Sequence, residues 1–124
     1  MTTFLQLTAT PQPKPSSGVP LNRTALLAAG PLGGAGGVEF INDAKSVLCI
    51  QQGTAATNFT LLIGTTVEGE AVGPITYTGV ASAIQEIGPF NSDFDVEPGG
   101  WIQVTFATAA NVTGVALVQN SGAV

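Results

Sequence analysis

Across residues 38–119 apolar and polar residues alternate with a period of two, and turn signals interrupt the alternation at short intervals. A strand sends successive side chains to opposite faces, so this pattern fits half-buried strands and no helix of domain length. The candidate strands are 38–41, 46–51, 58–66, 74–78, 81–87, 101–108 and 112–119, separated by Asn42-Asp43, Gly53-Thr54, Glu68-Gly69-Glu70, Gly79, Pro98-Gly99-Gly100 and Asn111. Ile87-Gly88-Pro89-Phe90 ends one strand, and a turn-rich acidic stretch then leads to Trp101. Phe59, Leu61 and Ile63 share a face, and Ile102, Val104 and Phe106 oppose Gln103 and Thr105. In the last segment Val115 and Leu117 alternate with Ala116 and Val118, apolar on both sides, which predicts a central or covered strand. Strands at such spacing predict an all-β fold: an antiparallel β-sandwich of about seven strands, Ig-like or jelly-roll-like.

Residues 1–37 read differently, as an extended Pro/Gly-rich N-terminal arm ahead of a sandwich domain at 38–124. Phe4, Leu5 and Leu7 can pair as a short strand. Pro11, Pro13, Pro15 and Pro20 punctuate the next ten residues. Proline donates no backbone hydrogen bond and fixes its own φ, so this piece is expected extended, solvated or laid on a partner. Residues 23–29 contain helix formers, and Gly30-Pro31 is a stop. About two helical turns are marginal without a surface to dock on. The glycines at 30–37 lack the Lys-Ser/Thr of a phosphate loop and read as a hinge.

Charge narrows the function. Only 9% of the 124 residues are charged, which leaves little to oppose association and predicts a homo-oligomer or an assembly component. Lys14 and Arg23 give residues 1–38 a charge of +2, whereas residues 39–124 carry eight acids against Lys45. A body this acidic is a poor phosphate binder, so no nucleic-acid partner is expected. Nor does any stretch approach the roughly 18 apolar residues of a membrane span, and the first residues lack a signal-peptide pattern, so synthesis in the cytoplasm without export is expected. There is no histidine, and Cys49 stands alone in an apolar run, read as a core residue. With no nucleophile beside an activating base, the chain is expected not to be an enzyme and to need no cofactor.

Three clusters invite a sharper reading. Asp93, Asp95 and Glu97 alternate in a turn and are weak candidates for an ion site, yet they lack the ligand run and glycine of a calcium loop; a solvated acidic loop is the plainer reading. Glu68 and Glu70 sit on one hairpin tip and cannot face each other across a cleft as a glycosidase pair does. Trp101 and Tyr77 suggest either a sugar-stacking platform or simple packing.

Residues 36–107 also resemble a family. Gly-Gly-Val-Glu-Phe-Ile-Asn-Asp at 36–43, the strand at 46–51, Phe-Thr-Leu-Leu-Ile at 59–63, Ile-Gly-Pro-Phe at 87–90 and the Gly-x-Ile-x-Val-x-Phe strand from Gly100 to Phe106 carry the likeness. The segment is similar to small proteins encoded beside the major capsid protein in tailed bacteriophages and prophages. That resemblance implies a structural virion protein on the capsid exterior, a decoration (cement) protein clamping neighbouring major capsid subunits. It also implies a homo-oligomer, a trimer foremost. On this reading the arm, through Phe4, Leu5, Leu7, Pro11, Pro13, Pro15, Arg23, Leu26 and Leu27, docks on the shell, ordered only in the assembly. The alternatives are a glycan- or receptor-binding module of a phage tail or cell surface acting through Trp101 and Tyr77, and a head-to-tail connector.

Overall fold

The structure, a computed structural model, describes residues 3–11, 18, 21–28, 30, 32–62, 66–67, 70–71, 74–90 and 100–119. Its strands are β1 (Phe4–Gln6), β2 (Thr10–Pro11), β3 (Gly37–Ile41), β4 (Ser46–Gln52), β5 (Phe59–Leu61), β6 (Thr66–Val67), β7 (Glu70–Ala71), β8 (Ile75–Tyr77), β9 (Ile84–Ile87), β10 (Trp101–Phe106) and β11 (Val112–Gln119). One helix, α1 (Arg23–Ala28), precedes β3. The strands form a five-stranded sheet in the order β1-β3-β10-β5-β8, a four-stranded sheet in the order β2-β11-β4-β9, and a β6-β7 ribbon. The two larger sheets pack face to face as the expected, mostly antiparallel sandwich.

The alternation read from the sequence is what fills the interior. Val38 and Phe40, Ile102, Val104 and Phe106, and Phe59 and Leu61 point inward from the five-stranded sheet. They meet Leu48, Ile50, Ile87, Val115 and Leu117 from the other. Phe90 closes one end beside Phe40, with ring centroids 6.1 Å apart. It is placed there by the Gly88-Pro89 break: Gly88 has φ of 111°, a conformation open to glycine and costly for other residues.

Two boundaries differ from expectation. The 81–87 strand begins only at Ile84, because Ser82 turns the chain with φ of 59° and its amide bonds Gly53. The single strand expected at 58–66 is resolved as β5 and, beyond residues 63–65, β6, which pairs Thr66 with Ala71 and Val67 with Glu70. The Glu68-Gly69 tip of that ribbon lies outside the described residues.

Residues 4–6 and 10–11 pair into the two sheets. β1 runs parallel to β3, pairing Phe4 with Gly37 and Gln6 with Glu39, and β2 runs parallel to β11, pairing Thr10 with Val118 and Pro11 with Gln119. One short stretch therefore gives an edge strand to each sheet. Pro11 is tolerated because an edge strand needs donors on one side only.

Helix α1 is seated on the outer face of the four-stranded sheet. Asn22 starts it, its Oδ1 accepting the Ala25 amide at 3.1 Å. Leu27, fully buried, packs on Cys49, Ala116 and Val118, with Leu21 and Leu26 beside it. The approach is so close that a Cβ on Gly114 would run into the Leu27 carbonyl, and one on Gly30 into the Val115 carbonyl; the Val115 amide donates to Gly30 O at 2.9 Å. This explains the two-sided apolar character of β11. Leu32 and Ala35, also before residue 38, are buried in this chain as Leu27 is. The surface a two-turn helix needs is the sheet itself.

A helix ordered only on a partner would leave the free protein indifferent to Leu27. The structure instead predicts that Leu27→Ala lowers the unfolding free energy by about 2–4 kcal/mol, the range for emptying a buried leucine site. Urea unfolding of the isolated protein measures it, and an unchanged midpoint would show that α1 is not seated on the sheet.

Candidate functional site

The two sheets present their outer faces differently. α1 lies over β11 and part of β4 on that of the four-stranded sheet, leaving Ile84 of β9 exposed, whereas the five-stranded sheet turns Phe4, Gln6, Glu39, Ile41, Trp101, Gln103, Thr105, Thr60 and Thr76 outward. These positions follow from the register and from the alternating burial of β3 and β10. Glu39 is the one charge among them. Thr60 and Thr76 join their hydroxyls across the strands at 3.2 Å, and Gln103 lies opposite Glu39.

At one end of this face Trp101 lies directly across from Ile41, which is 59% exposed although it is a large aliphatic side chain in a strand. Beside the pair is a groove of ≈ 290 Å³ lined by Gln6, Leu7, Thr8, Ala9, Ile41, Asp43, Trp101 and Leu117. Its wall is the stretch where the chain crosses from β1 to β2. Leu7 is fixed there by its amide donating to Glu39 O at 2.9 Å.

Asp43 builds the rim. Its Oδ1 accepts the amides of Lys45 and Ser46 at 2.8 and 2.7 Å, and its Oδ2 accepts the Ser46 hydroxyl at 2.7 Å and the Gln119 side-chain amide at 2.9 Å. Asn42 tightens the same loop, its Oδ1 accepting the Ala44 amide at 3.0 Å while Ala44 holds a φ of 62°. One carboxylate thus ties the β3–β4 turn to the end of β11. Partial burial alone would raise its pKa; the hydrogen bonds from Lys45, Ser46 and Gln119 outweigh it and hold the carboxyl below its ordinary value.

Three other apolar residues are exposed on the far strands of the two sheets and the connection between them. Ile75 on β8, Val80 in the following connection and Ile84 on β9 are 38%, 53% and 44% exposed. β8 and β9 are the last strands of their sheets, and a polar network fixes the loop between them. Buried Gln52 donates to Thr57 O and Gln85 Oε1 at 3.0 and 3.1 Å, and accepts the Thr57 amide at 3.1 Å. Gln85 in turn accepts the Val80 amide and donates to Thr78 O, both at 3.0 Å.

The residues singled out from the sequence divide clearly. Trp101 and Tyr77 are not brought together. Tyr77 pairs with Phe59 and stacks on it at 5.3 Å, in line with Phe106 inside the sandwich, whereas Trp101 is outward and five residues along β10. That offset is about 16 Å at the usual strand rise, so the two rings form no sugar platform. Of the arm residues, Leu27 is buried in this chain, Leu5 and Leu7 pack against the inter-sheet core, and Phe4 lies over Gly37 on the outer face. Leu26 is half-buried beside Leu27, and Pro11 is exposed. Pro13, Pro15, Asp93, Asp95, Glu97 and the Arg23 side chain lie outside the described residues. Cys49 is buried beneath α1, with Sγ 3.6 Å from Glu86 Oε1. Among the described residues no three His, Cys, Asp or Glu side chains gather as metal ligands, and no helix is long and apolar enough to cross a membrane.

Sequence reasoning missed Ile41 and Asp43. Ile41 was one apolar residue of a strand until the register set it opposite Trp101. Asp43 read as a turn residue, and its spacing of three to Ser46 was the available signal for a carboxylate that binds its own turn. Comparison with protein-family models, curated proteins and solved structures finds no match for this chain.

Replacing Asp43 by alanine removes acceptors for two backbone amides, and a loss of about 1–2 kcal/mol is expected near neutral pH. The folded carboxyl is the more acidic state, so its contribution is complete above the ordinary carboxylate pKa and is lost as pH falls through the lower folded value. The gap between wild type and Asp43→Ala in urea titrations should therefore be constant from pH 7 to about 5 and narrow below about 4. A gap that widens on acidification would overturn this role.

Proposed function

We propose that the protein is a structural decoration protein of a tailed-phage capsid, bound to the shell through the face of its five-stranded sheet that no described element covers. The resemblance over residues 36–107 supplies the identity of the shell. The uneven covering of the sandwich supports this docking surface: helix α1 lies over β11 and part of β4 on one outer face, while on the other Ile41 is exposed, Trp101 is half-buried, and Glu39 is the one charge among the described outward residues. Polar but uncharged Thr and Gln side chains lose little on desolvation if they find hydrogen-bond partners, so such a face suits contact with another protein.

The part assigned to the arm changes accordingly. Its described residues complete the sandwich rather than extend from it, so affinity is assigned to the body. Ile75, Val80 and Ile84, on the far strands and their connection, suit lateral contact with a second copy or a neighbouring capsid subunit. Many copies on a regular lattice make weak individual contacts cumulatively strong. In this role the protein bridges capsid subunits and resists their separation, with no chemistry at any residue.

Sedimentation of the purified protein with empty heads from the same genome tests the reading. Co-sedimentation at a fixed ratio to the major capsid protein is the expected outcome. Failure to bind, with a discrete ring or a monomer in solution, would overturn decoration in favour of a connector or a free binding module.

A further inference from the structure

We infer that the groove between Trp101, Ile41 and the β1–β2 crossing receives an arginine side chain from an extended, otherwise apolar segment of a partner protein. The inference rests on the proposed binding function and names the chemistry that its docking face recognises.

Three features of the groove select such an occupant. Its lining is largely apolar, from Leu7, Ala9, Ile41, Trp101 and Leu117, and so suits an aliphatic stem. Arginine buries its methylenes on such surface while keeping its charged head in water. Second, the indole of Trp101 is only half-buried, and an aromatic face attracts a planar guanidinium more readily than an ammonium. Third, the charge is one-sided: Asp43 lines the groove, and Glu39 lies on the same sheet face, opposite Gln103 and next to Gln6. Among the described residues Lys45 is the cation of this loop, and it does not line the groove.

Asp43 is suited to be a fixed negative charge rather than a hydrogen-bond partner for the ligand. Its oxygens are engaged by Lys45, Ser46 and Gln119, so it cannot swing out to meet a cation. Its field acts from the rim, and its hydrogen bonds keep it ionised. Gln6, exposed on β1 at the other side, offers a side-chain amide to the neighbouring peptide. A glutamate or aspartate in the same position would meet the Asp43 carboxylate, with Glu39 on the adjoining sheet face and no base among the lining residues, so the groove discriminates against acidic segments as well as favouring basic ones.

The test is an NMR titration of the full-length protein with the peptide acetyl-Leu-Arg-Leu-amide, and with its citrulline counterpart, which keeps the shape and removes the charge. Saturable shifts at the Trp101 indole N–H, Ile41 and Leu7 are expected, with the arginine peptide binding about five-fold more tightly, the scale of an exposed charge contact. Asp43→Asn retains an acceptor oxygen for the turn; Glu39→Gln lies mid-strand, away from that turn. Each should reduce the arginine preference about two-fold and leave the citrulline affinity unchanged. The same spectra report folding, and Glu39→Gln alone decides the matter if Asp43→Asn perturbs the loop. Equal binding of the two peptides, or no shift at Trp101, overturns the inference. Heads separate it from the proposed function: if wild type and the Asp43→Asn/Glu39→Gln double variant sediment with heads equally well, the groove assignment falls and decoration stands. An arginine-selective groove in a protein that ignores heads overturns decoration alone.

Discussion

A sandwich of two open sheets has four strand edges, and an unpaired edge invites pairing with another chain. This molecule blunts two of them with one short stretch of backbone, which sets a strand of two or three residues at the edge of each sheet. Residues 4–6 extend the five-stranded sheet beyond β3, the chain crosses over at residues 7–9, and residues 10–11 extend the other sheet beyond β11. Because both strands belong to one segment, the sheets are also held to each other along that side. The crossing then becomes a wall of the Trp101 groove, so the same device that blunts these edges with very short strands shapes the surface proposed to bind. On the far side β8 and β9 end their sheets, held in place by the Gln52–Gln85 network.

The order of strands explains why this closure comes from so far away in sequence. β3 and β4 lie in opposite sheets, as do β4 and β5, β8 and β9, and β10 and β11. Most pairings inside a sheet therefore join strands distant along the chain: β3 with β10, β4 with β11, β1 with β3. Each such contact requires a long loop to close before it contributes, so a fold of this kind is built slowly and cooperatively. A late-docking N-terminal segment and helix suit that order, since the sheets they cover must exist first.

The sequence was most legible where one residue's neighbours decide its environment. Period-two alternation in 101–106 and 112–119 identified inner and outer faces that the structure reproduces, because strand geometry alone dictates them. It was least legible where the answer depends on register. β1 and β2 are three and two residues long, too short for any period, and their partners lie more than thirty residues away. Pro11 read as part of an extended piece, solvated or laid on a partner, because an edge position is invisible without topology. Leu27 read as an arm residue for the same reason: a two-turn helix is marginal by itself, and only the fold shows Gly114 and Gly30 clearing a seat for it. Trp101 and Tyr77 stood out as aromatic residues, yet the pairing of Phe106, Phe59 and Tyr77 sends one inward and leaves the other outside.

The outward residues described on the five-stranded sheet, nearly all uncharged, suit the proposed docking. Thr60, Thr76, Thr105 and Gln103 satisfy water well enough to keep the face from collapsing onto itself, but they carry no charge whose desolvation would oppose contact. The apolar weight is concentrated at Trp101 and Ile41, at one corner rather than across the sheet. A surface arranged this way gains little from a chance encounter with a flat partner and more from one that presents a projecting side chain to that corner. On the proposed reading, specificity rests with the groove, Asp43 at its rim and Glu39 on the adjoining face, and strength with the number of copies engaged together.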